Sequence, residues 1–423
     1  MSKNWIKNKA ELSTTPEREI VLNIIETGLD AIDTEAIIKS SVRLSGNTLK
    51  VKDEFFDLEG VENIYVIGFG KASCLAATVL DEILGSSIKG GVAIGLAPTS
   101  CEYIQTYGGT HPHPSVQNVE VSEKIMELSK QLTDKDLVIV VVSGGGSALL
   151  CWPMQECEQA NRLYTDFLET GGNIKELNTI RKHISMLKGG GLAKQLFPAT
   201  VIGLIFSDVP GNNFEYIASG PTYKDITTVA DAQAILDKYN LTGYDLNETP
   251  NEDKYFERVT NIPLVSNVDA LQAMKQKAES LGLKSEILSA ELYDSSEQIV
   301  GKFLEAIEPN CVVLAGGEPK AIVGKKDGRG GRSERLGLEM LSHLTKADVF
   351  AAVASDGLDN SAAAGVIEDW STIEKMNSAK IDIEAHKENW DSLDFYTQTG
   401  NELLETGATQ ANVSDLMILY RKK

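Results

Sequence analysis

What the chain has little of narrows it first. Among 423 residues there are five cysteines, Cys74, Cys101, Cys151, Cys157 and Cys311, odd in number and without CxxC spacing. Scattered thiols suit a reducing compartment and buried structural roles, which excludes a disulfide framework or zinc site and makes a cytoplasmic location the expectation. No run of about eighteen apolar residues occurs, so no transmembrane helix and no membrane partner is expected. The segment from Met1 to Glu19 is polar and lacks the apolar core of a secretory signal. Positive charge is scarce: 40 Lys and Arg stand against 61 Asp and Glu, a formal charge of −21. Such an excess repels polyanions, so nucleic acid is excluded as a partner. An anionic small molecule must then be held by cations gathered locally.

What is present has ordinary globular composition, 42% hydrophobic and 24% charged. Its length implies two or three domains. Apolar periodicity predicts helices over 17–30, 34–42, 72–84 and 119–132. Short apolar runs at 63–67, 91–96, 137–142 and 200–206 read as strands, the β-branched 137–142 as one buried on both faces. Strands alternating with helices imply a parallel sheet with crossovers, and function in the loops at the carboxyl ends of strands. A polar stretch over 237–260 marks a boundary. A second alternation follows: strands at 263–266 and 285–288 flank a helix over 268–281, and further strands lie at 311–315 and 349–354. Two α/β domains are expected, residues 1–245 and residues 255–423.

Five loops follow these runs: Gly68-Phe-Gly-Lys71, Ser143-Gly-Gly-Gly-Ser147, Ser207-Asp-Val-Pro-Gly211, Gly316-Gly-Glu318 and Ser355-Asp-Gly357. The second is the clearest phosphate cradle, since consecutive glycines expose backbone N–H groups and a helix start adds a favourable dipole. Gly68 to Lys71 is neither a P-loop, because Tyr65 stands at the first glycine position and Ala72 follows the lysine, nor a dinucleotide fingerprint, because Ser73 stands at the third glycine. Lys71 remains as a cation at a strand–helix junction. Arg329 and Arg332 lie in a glycine-rich loop expected to open a helix over 333–344, and arginine there offers a bidentate clamp for phosphate or carboxylate. Arg181, Lys182, His183 and Lys188 form a further basic group, with Arg181, Ser185 and Lys188 on one face if helical. Asp208 and Asp356 follow apolar strands and suit Mg²⁺, which takes one or two carboxylates and keeps phosphate oxygens as other ligands; an Asx-turn is the alternative for Asp356. His111 and His113 are separated by proline and cannot form the helical metal pair, so a rigid extended loop is expected.

In order along the chain, the first four of these five loops, with Gly109–Pro114, Asn178–Leu192, Ile217–Thr222, Gly330–Arg332 and Asn412-Val-Ser-Asp-Leu416, resemble the class II glycerate kinases, or glycerate 2-kinases, with a C-terminal MOFRL-type domain. The resemblance implies a Rossmann-like N-terminal domain, a MOFRL-like second α/β domain and an interdomain cleft. It also implies transfer of the γ-phosphoryl group of ATP, with Mg²⁺, to the 2-hydroxyl of D-glycerate, giving 2-phosphoglycerate. Lys71 and Arg332 match the family's cleft lysine and arginine. Ser143, Gly144, Gly145, Gly146, Ser147 and Lys188 are expected to hold the nucleotide, Arg181 and Glu318 the substrate, and Asp208 and Asp356 the metal. A homodimer is left open. The chain departs from the family pattern at Ser115, Asn212, Ser333, Glu334 and Arg335, and over 359–365 and 406–412. The changes fall mostly in the second domain, so a related small hydroxy acid is an alternative acceptor. An NAD(P)-linked hydroxypyruvate or hydroxy-acid reductase and a catalytically weak metabolite-binding relative are the other readings.

Overall fold

The apolar runs that end in glycine loops become the centre of a sheet. The computed structural model describes residues 3–168, 170–209, 213–320, 328–400 and 402–423. Pro210, Gly211 and Asn212, the end of the Ser207–Gly211 motif and one departure from the family pattern, lie outside the described residues. Two compact units form, one from Thr34–Leu264 and one from Met1–Asp33 with Val265–Lys423.

The Thr34–Leu264 unit opens with an antiparallel meander, β1 (Val42–Ser45), β2 (Thr48–Val51) and β3 (Glu54–Asp57), which the sequence reading missed. Its main sheet holds β4 (Asn63–Phe69), β5 (Ile88–Gly95), β6 (Ile104–Gly108), β7 (Asp136–Val142), β8 (Thr200–Phe206) and β9 (Val259–Val265), in the order β6-β5-β4-β7-β8-β9. The pairings β4–β5, β4–β7, β5–β6 and β7–β8 are all parallel, as the alternation predicts. All of β7 is buried, and Val138, Val140 and Val142 pack with Ile67, Phe69, Ile125, Leu149 and Leu192. Burial of each such side chain stabilises the unit by about 1.5–3 kcal/mol. The run at 263–266, expected to begin the second domain, instead ends β9 and lies at the edge of this first sheet. The polar stretch before it is therefore a loop on the way to a last strand.

In the other unit the strands are β10 (Lys284–Leu292), β11 (Cys311–Gly317), β12 (Asp348–Ala354), β13 (Gly365–Asp369), β14 (Leu403–Leu404) and β15 (Asp415–Arg421), ordered β10-β11-β15-β12-β13-β14. Among the described residues of this sheet only β10–β11 is parallel; β15 runs antiparallel between β11 and β12. This last strand brings Asp415 level with Gly317 and Ala354, at the ends of both neighbours. Residues 1–33, assigned by sequence to the N-terminal domain, pack in this unit. The reason is chemical: Arg18, fully buried on the helix Pro16–Ala31, donates from Nε to Asp369 at 2.9 Å and from Nη2 to Thr372 at 3.1 Å. Burial alone would raise the Asp369 carboxyl, yet Arg18 holds it below its ordinary value. Among the described residues no helix is long and apolar enough to cross a membrane.

Candidate active site

The ends of β4 and β7 are adjacent, Phe69 opposite Val142. The loops beyond them lock together: Ser143 N donates to Phe69 O at 3.2 Å, Lys71 N to Gly144 O at 2.9 Å, and Ala72 N to Ser143 Oγ at 3.1 Å. Gly70 has φ of +120°, and a Cβ there would stand 2.2 Å from Ser143 Oγ, so no other residue fits. Ser143, expected to hold the nucleotide, is fully buried and its hydroxyl braces the lysine loop. Gly145 turns at φ +79°, and Gly146 N closes the turn onto Ser143 O at 3.1 Å. The N–H groups of Gly144, Gly145 and Ser147 find no acceptor among the described residues. Three amide donors thus remain for an anion. The expected dipole contributes little, because the helix that follows, Gly146–Leu149, has four residues. The partly buried Lys71 side chain runs alongside, its Cγ 3.3 Å from where a Gly145 Cβ would be.

From the far end of this loop a polar chain leads to Arg181. The Ser147 and Ser219 hydroxyls are 2.9 Å apart, Ser219 donates to Asn178 Oδ1 at 3.2 Å, and Arg181 Nη1 donates to the same oxygen at 3.4 Å. Ser219 sits in a segment of unusual backbone, with φ of +51° at Ala218, +60° at Ser219 and +65° at Gly220. Such conformations cost about 1–2 kcal/mol per non-glycine residue. They are held by Gly189 N to Ser219 O at 2.9 Å and Gly190 N to Gly220 O at 2.8 Å. That is the work of the second glycine run: it clamps backbone rather than ligand.

The basic group around Arg181 separates by charge partner. Lys182 is paired to Asp225 at 2.9 Å, and His183 is buried between Asn247 O and Thr227. Lys188, expected to contact the nucleotide, is buried and donates to Glu156 and, at 2.9 Å, to Leu150 O, so it is an internal strut and that expectation is withdrawn. The single helical face does not form either, since the helix Ile174–His183 ends before Ser185 and Lys188. Arg181 differs: no carboxylate among the described residues lies within ion-pair distance. Burial pulls its guanidinium down to about 10, with Tyr164 opposing weakly. Asp208, just past β8, is partly buried in the same unit.

Arg332, Glu318 and Asp356 come together in the other unit. Arg332 begins the helix Arg332–Leu341, its Nη1 3.3 Å from Glu318 and its Nε 3.2 Å from Asp415. Asp415, then Glu318, Asp359 and Asp356, hold the Arg332 guanidinium above its ordinary value against desolvation. Asp356 accepts from Leu358 N at 3.2 Å, the Asx-turn alternative. Asp359 caps the helix, accepting from Ser333 N at 3.2 Å and Glu334 N at 2.8 Å. Arg329 pairs with Asp394 at the surface. The expected metal carboxylates Asp208 and Asp356 belong to different units, and among the described residues no group of three His, Cys, Asp or Glu could hold a metal. Sequence reasoning missed Asp415, Asp359, Asn178 and Ser219 as individual residues, although Asp415, Asn178 and Ser219 lie in stretches that carried the family resemblance; Asp359 opens the 359–365 stretch that departs from it.

Two family models match the chain: a domain of unknown function, DUF4147, over residues 20–249, and the MOFRL family over residues 311–415. The glycerate 2-kinase of Pyrococcus horikoshii is 32% identical over 433 residues, covering 95% of this chain and 96% of that protein. The D-glycerate 2-kinase of Thermotoga maritima is 31% identical over 408 residues, covering 90% and 96%. A crystal structure of glycerate kinase from Thermotoga maritima superposes with a TM-score of 0.80 at 27% identity, covering 95% of this chain and 99% of that one.

Proposed function

The chain belongs to the glycerate kinase family, and we propose that it transfers the γ-phosphoryl group of ATP to the 2-hydroxyl of D-glycerate, or of a closely related small hydroxy acid. The observation that carries this reading is the triplet of amides at Gly144, Gly145 and Ser147, without acceptors among the described residues, beside Lys71, with Arg181, which has no carboxylate partner among them, linked to Ser147 through Ser219 and Asn178. Phosphoryl transfer needs positioning and charge neutralisation more than covalent chemistry. The three amides bind phosphate oxygens, Lys71 neutralises charge on the moving group, and Arg181 holds the acceptor carboxylate in bidentate fashion. Arg332 is assigned as a further catalytic cation and Glu318 as a substrate contact. Mg²⁺ fits a donor set of one carboxylate plus phosphate oxygens, so Asp208 would hold it, and it would supply neutralisation of the triphosphate. Asp356 fits less well, its carboxylate being engaged by a backbone amide.

A coupled ATP-consumption screen with Mg²⁺ against three- to six-carbon hydroxy acids tests the reading, with phosphorus NMR identifying the product. D-Glycerate is expected to react and to yield 2-phosphoglycerate. Lys71→Ala is expected to lose about a thousandfold in kcat, the scale of a lost transition-state clamp; a change within about threefold removes that assignment. An inert glycerate beside a reactive larger acid moves the acceptor, and NADH consumption with hydroxypyruvate in the absence of ATP replaces the kinase reading with the reductase.

A further inference from the structure

Resting on that reading, we propose that His111 is the general base of the transfer, taking the proton of the acceptor hydroxyl. Its exposed imidazole lies against the phosphate loop: a Cβ built on Gly145 would stand 3.0 Å from His111 Cδ2, 3.3 Å from His111 Nε2 and 3.3 Å from Lys71 Cγ. Imidazole, lysine and the turning amide therefore border one spot. A lysine ammonium has no lone pair to accept a proton, and the Ser143 hydroxyl is buried, whereas imidazole is the side chain suited to proton exchange near neutrality.

The structure fixes this loop with more than chance packing. Gly109 N donates to Gly95 O at 2.7 Å. Buried Asn118 accepts from Thr110 N at 2.9 Å, and its Nδ2 donates both to Thr110 O at 2.9 Å and to Ala148 O at 2.8 Å. One side chain thus ties the histidine loop to the segment that follows the glycines. A Cβ on Gly109 would come 2.8 Å from Leu149 Cδ2, so the two segments touch. His113 has different partners, Asn161 at 3.1 Å and the Tyr164 ring at 4.7 Å.

In the step, the acceptor oxygen forms its bond to the γ-phosphorus as the bond to the β,γ-bridging oxygen breaks. ADP keeps that electron pair, and the hydroxyl proton passes to the imidazole and later to solvent. The test uses full-length His111→Ala and His111→Gln with ATP, Mg²⁺ and the acceptor on which the parent is active. Both are expected to lose about a hundredfold or more in kcat while both KM values stay within about threefold. Added free imidazole is expected to restore His111→Ala about tenfold and to leave His111→Gln, whose side chain fills the space, unchanged. Variants within about fivefold of the parent, or a loss that imidazole does not touch and that comes with raised KM, overturn the proposal and leave His111 a binding contact. A parent that phosphorylates no hydroxy acid overturns the kinase reading and this inference together, whereas an active parent with unaffected variants overturns the inference alone.

Discussion

Arg181→Met swaps the guanidinium for an uncharged chain and separates a binding role from a structural one. Desolvation pulls Arg181 from 12.5 to about 10. At about 1.4 kcal/mol per tenfold, dehydrating this cation costs the folded unit about 3 kcal/mol, and solvent reaching the partly exposed group trims this to about 1–2 kcal/mol. Because the folded value is depressed but still far above neutrality, the cost is present throughout the physiological range. Unliganded Arg181→Met is therefore expected to be more stable than the parent by about 1–2 kcal/mol. A bound carboxylate pairs with the guanidinium, and loss of that charged hydrogen bond is worth about 1.5–3 kcal/mol, or roughly ten- to a hundredfold in affinity. Hydrogen exchange of peptides from β7, buried along its whole length, reports the stability of this unit with and without D-glycerate. The parent should gain protection with ligand that the variant lacks. A variant that is at least about 1 kcal/mol less stable and responds fully to ligand would refute the reasoning and make Arg181 a strut for Asn178.

Gly145→Ala is expected to strain a left-handed turn by about 1–2 kcal/mol and push on His111 and Lys71, weakening ATP about tenfold or more by calorimetry; unchanged affinity would remove the cradle. Lys188→Met leaves Glu156 buried without its cation, an expected loss of about 3–5 kcal/mol in urea denaturation, most of it recovered in Lys188→Met with Glu156→Gln. Burial, and then the neighbouring Glu334, push the Asp359 carboxyl up to about 7, against about 3.9 when unfolded. Between those values the native state binds the extra proton, so this group's stabilisation is full at low pH and falls away as pH rises to about 7. Asp359→Asn is expected to flatten that fall, read as urea midpoints at pH 5 and pH 8; parallel behaviour of parent and variant would contradict it.

In the Thr34–Leu264 unit, β4, β5, β7 and β8 were legible because they are largely buried apolar runs that lead into loops, whereas the more exposed β6 and the β1–β3 meander carry no such run. β7 is the clearest case, extended by one residue from the expected 137–142. The second sheet was legible only in part. β12–β13, β13–β14 and both pairings of β15 are antiparallel, which strand–helix alternation does not announce, and β15 enters between two earlier strands from the far end of the chain. The place of residues 1–33 hung on Arg18 meeting Asp369, a pairing 351 positions apart that periodicity does not encode. Among the site residues, the Gly144–Ser147 loop was readable from composition. Lys188 was misread because a basic residue before glycines looks the same whether or not a glutamate lies opposite.

That ambiguity defines what a structure adds in a chain with 61 acidic against 40 basic residues. With carboxylates in excess, a cation near any loop has a partner available, and Lys182, Lys188, Arg329 and Arg332 each have one. Proximity to glycine therefore says little about ligand binding, since compensated charge has already lost much of its pull on an incoming anion. Arg181 is desolvated yet lacks a carboxylate among the described residues, and it adjoins a loop whose amides are also unsatisfied. Both deficits carry the same sign, and folding bears the cost of each. On the proposed reading, nucleotide phosphate at the amides and the acceptor carboxylate at Arg181 relieve one deficit each, so the stability given up in the empty unit returns as affinity for both ligands.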